Sequence, residues 1–291
     1  MKVVPAPVLA AVEESAGRRR EHTLAWSTVW VLGLACALIA PALLLFLLAK
    51  GAAFLLADER ATLGSLRWAP TEASYGLVPL VLGSLSVAFG GLLLALPLGV
   101  GTAVALHFYL RGKLQEVLEA TLGVLGGIPS VVFGLFGTFY LVPRIGASLI
   151  SGVCVLAAML IPTLALLALA AFRQLPAGLV PDGLRLGLSR EQVILRLALR
   201  AARPALFGAA VLALSRGLGE ALAIEMVCGN VPGLPTSLTA PIRTLTTTLV
   251  QEFEYAQPLH NQALHLVALT IVLLAALTSA AALKLRERKA A

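Results

Sequence analysis

A chain of 291 residues that is 59% hydrophobic and only 13% charged carries too little charge to cover a soluble domain of that size. In lipid the same composition is expected, because side chains that face acyl tails are apolar. The net charge of +7 is read as a topology signal rather than a nucleic-acid footprint, since the basic residues segregate between apolar stretches.

About 20 mostly apolar residues cross a bilayer, and six stretches qualify: 26–49, 77–108, 120–141, 147–172, 204–229 and 263–284. The first is longer than the core of a cleaved signal peptide and reads as a retained helix. The second exceeds one straight crossing and carries Gly90, Gly91, Pro97, Gly99 and Gly101, which predicts a tilted or kinked helix. The segments 1–25, 109–119, 173–203 and 285–291 hold four, two, six and three basic residues, 15 of the 22 in the chain. Lys and Arg are retained on the cytoplasmic side, so both termini are expected there. The organisation is an all-α integral membrane protein: a 1–25 N-terminal segment, one transmembrane domain over 26–284 with a loop at 173–203, and a 285–291 tail. The cysteines Cys36, Cys154 and Cys228 each lie in an apolar run and read as packing residues, with no disulfide framework or metal site.

Several chemistries have no visible means in this chain. The only Gly-Lys pair, Gly112-Lys113, is followed by Leu114, so there is no phosphate-binding loop. The four histidines, His22, His107, His260 and His265, have no metal-ligand spacing. Any uphill transport must draw its energy from a gradient or another subunit.

Within the third stretch, Gly127-Ile128-Pro129-Ser130 sits before Gly134 and Gly137. Pro129 removes a backbone donor, Ser130 can bond nearby backbone, and Gly127, Gly134 and Gly137 permit close helix approach. This reads as packing, or as a kink that flexes in gating with Ser130 lining a route. In the 173–203 segment, Pro181 to Leu199 reads as one amphipathic helix. It either lies against the bilayer or docks into a partner. In the fifth stretch, Arg216 and Glu220 stand in apolar surroundings, where each charge costs roughly 2.5–3.5 kcal/mol at mid-membrane. Four residues apart on a helix, they share a face about 40° wide and can neutralise one another. Either Arg216 offers its guanidinium fork to a passing oxyanion with Glu220 tempering its grip, or the two form an ion pair that fixes the helix. Glu225 falls about 180° around the same helix, with no assignable role.

The run Leu184-Arg185-Leu186-Gly187-Leu188-Ser189-Arg190, with Val193-Ile194 and Leu199 to Pro204, resembles the coupling-loop motif of ABC importer permeases. The family's turn between two short helices falls on Gly187. Its Glu-Ala-Ala opening is replaced by Pro181-Asp182-Gly183, and its first proline falls on Arg200. Gly127 to Leu135 resembles the signature of phosphate importer permeases. Leu214 to Ala221 with Met226 to Asn230 is closer to the PstC type than to its PstA-type partner.

This resemblance implies the six-helix ABC importer permease fold and a subunit that is not itself an enzyme. The importer carries inorganic phosphate across the inner membrane with Arg216, Glu220 and Ser130 on the pathway. Asp182, Gly183, Leu186, Gly187, Leu188, Ser189 and Arg190 engage the ATPase, and Gly127, Pro129 and Gly134 form the helix kink. It implies a homologous second permease, two ATPase subunits that use ATP, and a periplasmic phosphate-binding protein, with no cofactor on this chain. A permease for molybdate or sulfate, a PstA-type subunit, and a membrane enzyme acting on lipid phosphate remain as alternatives.

Overall fold

A computed structural model describes the chain over residues 6–57 and 63–287, with side chains from Trp26 and Thr28 through Ala281. The expected N-terminal segment 1–25 and tail 285–291 therefore lie outside the residues whose side chains are described. Two units divide the chain, Met1–Lys50 and Gly51–Ala291. Helix α1 (Ala6–Ala57) contains Pro41 and supplies the first unit. Its membrane-competent stretch is Thr28–Leu56, somewhat longer than the 26–49 expected.

The second unit takes in the last turns of α1 from Gly51 to Ala57, followed by a short antiparallel hairpin, β1 (Trp68–Ala69) and β2 (Ser74–Tyr75). Helix α2 then runs over Val78–Val104 and ends in a π turn at Ala105–Tyr109, giving one candidate span from Val78 to Tyr109. Next come α3 (Lys113–Gly127), α4 (Ser130–Ile145) and α5 (Leu149–Arg173). Helix α6 (Leu179–Arg185) is short, and α7 (Arg190–Leu218) is long with a π turn at Val193–Ala198. The chain continues through α8 (Leu222–Glu225), α9 (Leu245–Glu252) and α10 (Pro258–Glu287).

Helix α5 is the centre of the bundle, burying Leu156, Leu160 and Leu164 against α2 and α7. Lipid tails are as apolar as leucine, so close packing rather than water exclusion holds such helices together. The approach of α2 to α5 shows this directly. A Cβ added at Gly91 would stand 2.9 Å from Leu156, and one at Gly99 2.7 Å from Leu164, so neither position has room for a side chain.

Two of the expected spans are not single helices. The third breaks at Ile128-Pro129, where α3 and α4 meet at 90°. Pro129 disfavours helical geometry in the residue before it, and Ile128 is extended with ψ 131. Among the described residues, five helices are long and apolar enough to cross a membrane, and six if the bent pair counts as one span. The fifth span, expected over 204–229, stops as a helix at Leu218. Gly217 and Gly219 are weak helix formers. The backbone carbonyl of Glu220 accepts from the Thr246 hydroxyl at 2.7 Å, which holds the break in place.

Candidate functional site

The end of α7 carries the first candidate site. Arg216 lies in the last helical turn, and Nη1 of its guanidinium donates to Thr163 Oγ1 of α5 at 2.8 Å. Thr163 is ten residues from the end of α5 at Arg173, about 15 Å along the helix. That is half the thickness of a ~30 Å hydrocarbon core. The expected mutual neutralisation by Glu220 is not what the structure shows. Glu220 lies beyond the helix, and its Oε1 instead accepts from the Ala223 backbone N–H at 3.4 Å, over the start of α8. Among the described residues, no ion pair joins Arg216 to an acid. Glu225 ends α8 rather than occupying the far side of the same helix, and its carbonyl accepts from Asn230 Nδ2 at 2.7 Å.

Buried hydroxyls fix this broken segment. Ser84 of α2 accepts from the Leu245 N–H at 2.9 Å and donates to the Leu80 carbonyl. Thr244 and Thr247 close a capping box at the start of α9. An N-terminus secured in this way keeps Thr246 on the Glu220 carbonyl.

A groove of about 470 Å³ follows the seam between α5 and α7, lined by Leu167, Ala171 and Gln174 on one side and Ala205, Gly208 and Leu212 on the other. Arg216 is eleven positions from Ala205, which on a helix places the two within about 20° of each other. The groove therefore runs along the face of α7 that presents Arg216, toward the end that carries residues 173–203.

At the α3–α4 bend, Ser130 begins α4 and is half-buried. The three kink residues divide. Pro129 makes the bend, and Gly127 ends α3 with nothing within 4 Å of an added Cβ, so the close packing expected there is absent. Gly134 lies inside α4 as a contact point, where an added Cβ would stand 2.7 Å from Met226 Sδ.

The 173–203 segment is two helices joined by a turn, and not the single amphipathic helix expected from Pro181 to Leu199. Gly187 has φ +82, a left-handed conformation suited to glycine. Ser189 then starts α7 with a capping box, in which its hydroxyl accepts from the Gln192 N–H and the Gln192 side chain accepts from the Ser189 N–H. Gly183 lets the two helices touch, since a Cβ there would stand 2.8 Å from Val193 and 3.0 Å from Leu197. Asp182 pairs with Arg185 at 3.0 Å, and the Arg190 guanidinium lies 4.8 Å over the Tyr109 ring. Leu188 donates its N–H to the Gly183 carbonyl. Leu186 at the tip is 81% exposed.

A third cluster escaped the sequence reading. Glu252 of α9 accepts from Trp68 Nε1 at 3.0 Å, faces His260 Nε2 at 3.3 Å and pairs with Arg243. Arg243 also donates to the Asn230 carbonyl at 2.9 Å and to Gln251 at 2.9 Å. Burial pushes the Glu252 carboxyl up, but the His260 and Trp68 hydrogen bonds and the charges of Arg243 and His260 outweigh it and hold the group below its ordinary value. The sequence signal was only a balance of loop charges. Which arginine meets which acid depends on bringing the hairpin, the 229–244 loop and α10 together.

This bundle, with a helix-turn-helix loop and a charged residue at a broken crossing, is a transport-permease arrangement. A family model described as "Binding-protein-dependent transport system inner membrane component" matches residues 95–290. The chain belongs to that family of membrane components of ABC importers. Membership makes it a multi-span transport subunit and implies an ATPase and a substrate-binding protein as partners.

Among curated relatives, the probable ABC transporter permease protein YqgH of Bacillus subtilis is 37% identical over 232 residues, covering 74% of this chain and 75% of that one. The phosphate transport system permease protein PstC 1 of Mycobacterium tuberculosis is 32% identical over 216 residues, 64% of each chain. PstC of Pasteurella multocida is 28% identical, covering 71% of this chain and 73% of that one. Of solved structures, the MetNI methionine ABC transporter in inward-facing conformations superposes with a TM-score of 0.61 at 20% identity. The match covers 73% of this chain and 95% of that chain, a likeness of fold.

Proposed function

We propose that this chain is the PstC-type permease of an ATP-driven importer of inorganic phosphate and forms half of its translocation pathway. Its relatives named as phosphate permeases support the substrate class. The observation that carries the reading is Arg216: a guanidinium at mid-bundle depth, held by a neutral hydroxyl, above a groove on its own helix face. Such a cation is expensive in lipid, and a doubly or singly charged oxyanion offsets that cost when it binds. Arg216 is the anion-contacting residue. Glu220 shapes the break through the N–H of Ala223 and leaves Arg216 uncompensated, and Ser130 at the α3–α4 bend is a second station on the route.

The remaining parts follow the same reading. Both termini and the 173–203 loop face the cytoplasm of an inner-membrane protein. Asp182, Gly183, Leu186, Gly187, Leu188, Ser189 and Arg190 dock into one of two ATPase subunits, which bind and hydrolyse the ATP. A second, homologous permease completes the pathway, and a periplasmic phosphate-binding protein delivers the anion. ATP-driven closure of the motor, transmitted through this loop, switches the bundle between inward and outward access. The test is uptake into vesicles holding all the subunits, with labelled phosphate and excess sulfate or molybdate as competitors. Uptake that needs the binding protein and resists both competitors supports the assignment. Preferential loss to molybdate or sulfate replaces phosphate with that anion.

A further inference from the structure

The arginines around the 173–203 loop fall into two groups. Arg173 forks onto Glu119 at 2.7 and 2.6 Å, Arg185 pairs with Asp182, and Arg190 covers the Tyr109 ring. Arg196, Arg200 and Arg203 are exposed and, among the described residues, have no acid, hydroxyl or ring against them. All three stand on α7. At about 100° per residue, they and Phe207, one turn further on and also exposed, fall within an arc of about 60°. This face is turned about 140° or more from Arg216, so it does not line the groove between α5 and α7.

Like charges three and four positions apart on a helix repel one another. A stripe of three therefore favours an anion that answers all of them. The position of the stripe selects the kind of anion. It lies where the candidate span Arg190–Leu218 begins, and it passes directly into the exposed ring of Phe207 along the same face. Arginine stems lie along apolar surface while their heads reach polar ground, and guanidinium forks match phosphate oxygens. A soluble anion would gain nothing from Phe207, whereas a phospholipid has a headgroup for the arginines and an acyl chain for the ring.

We infer that the Arg196–Arg200–Arg203 face binds the phosphate headgroup of an anionic phospholipid where α7 enters the bilayer. This site is separate from the transport pathway and does not depend on phosphate being the cargo.

The full-length chain, purified with its partner subunits, is exchanged into equal amounts of phosphatidylglycerol and phosphatidylcholine. The lipids it retains are then counted by native mass spectrometry. The wild type is expected to enrich phosphatidylglycerol, and R196Q/R200Q/R203Q to reduce that enrichment by about tenfold or more, given the attraction of each basic residue to an anionic surface. The charge-conserving R196K/R200K/R203K variant retains most of it and shows that the site tolerates substitution without misfolding. Arg216→Gln leaves the enrichment unchanged. Equal retention of the two lipids by the wild type overturns the inference, as does unchanged enrichment in the triple Gln variant. Displacement of the lipid by millimolar inorganic phosphate would reassign the site to the free anion. Loss of the ATPase subunits with lipid enrichment intact would reassign it to an acidic protein surface.

Discussion

Replacing Glu252 by Gln tests the cluster around Trp68, Arg243 and His260. The carboxylate takes the Trp68 indole N–H at 3.0 Å and the His260 ring at 3.3 Å on one oxygen, and Arg243 on the other. Hydrogen bonds to a charged group contribute about 1.5–3 kcal/mol each, and breaking a buried pair by removing one partner costs about 3–5 kcal/mol. Gln keeps one carbonyl for one donor and turns its NH2 toward the others. The expected loss is about 2–4 kcal/mol at neutral pH. Because the Glu252 carboxyl is held below its ordinary value, its stabilisation is fully present above about pH 4.3. That stabilisation is lost as pH falls through the lowered folded-state value. Thermal unfolding followed by tryptophan fluorescence suits this site, since Trp68 is 2% exposed and bonded to the carboxylate. Glu252→Gln should unfold several degrees below wild type at pH 7 and lose less further stability between pH 5 and pH 3. Equal melting temperatures at pH 7, or equal losses on acidification, would refute the role given to this carboxylate.

Other substitutions probe the loop, the pathway and the core. Gly183→Leu forces a side chain into the contact with Val193 and Leu197; it should leave the bundle folded by circular dichroism but cut ATP-driven uptake at least about tenfold, in line with overpacking costs of about 1–3 kcal/mol. Thr163→Val removes the hydroxyl that accepts from Arg216. It should raise the KM for uptake about tenfold with a smaller change in kcat, and Thr163→Ser should restore it, given about 1.5–3 kcal/mol for a charged hydrogen bond. Gly99→Leu, with 2.7 Å available to its Cβ, should lower the melting temperature with the pathway chemistry unchanged.

The long apolar runs made most of the bundle legible from sequence, because a bilayer admits few alternatives to helices of about 20 residues. The second, fourth and sixth spans came out within a few residues of Val78–Tyr109, Leu149–Arg173 and Pro258–Ala281. Apolar content cannot distinguish a straight helix from a broken one, and this is where the expectations failed. Pro129 signalled a kink, but not a 90° turn between two helices. Arg216 and Glu220 looked like helical neighbours because four-residue spacing assumes an unbroken helix. The Thr246 hydroxyl that stabilises the break is 26 positions away from Glu220, beyond the reach of any local pattern. The turn at Gly187 was visible only through the family resemblance, since the run from Pro181 to Leu199 has the periodicity of one helix.

The most direct test of the account is phosphate uptake by the reconstituted importer carrying Arg216→Gln, with Arg216→Lys alongside. If Arg216 meets the anion, the Gln variant loses at least about tenfold in kcat/KM, as expected for a lost charged contact of about 1.5–3 kcal/mol. The Lys variant keeps part of the activity, and ATP hydrolysis by the partner subunits persists in both. Unchanged phosphate uptake by Arg216→Gln would contradict the account and leave Arg216 as a structural residue tied to Thr163.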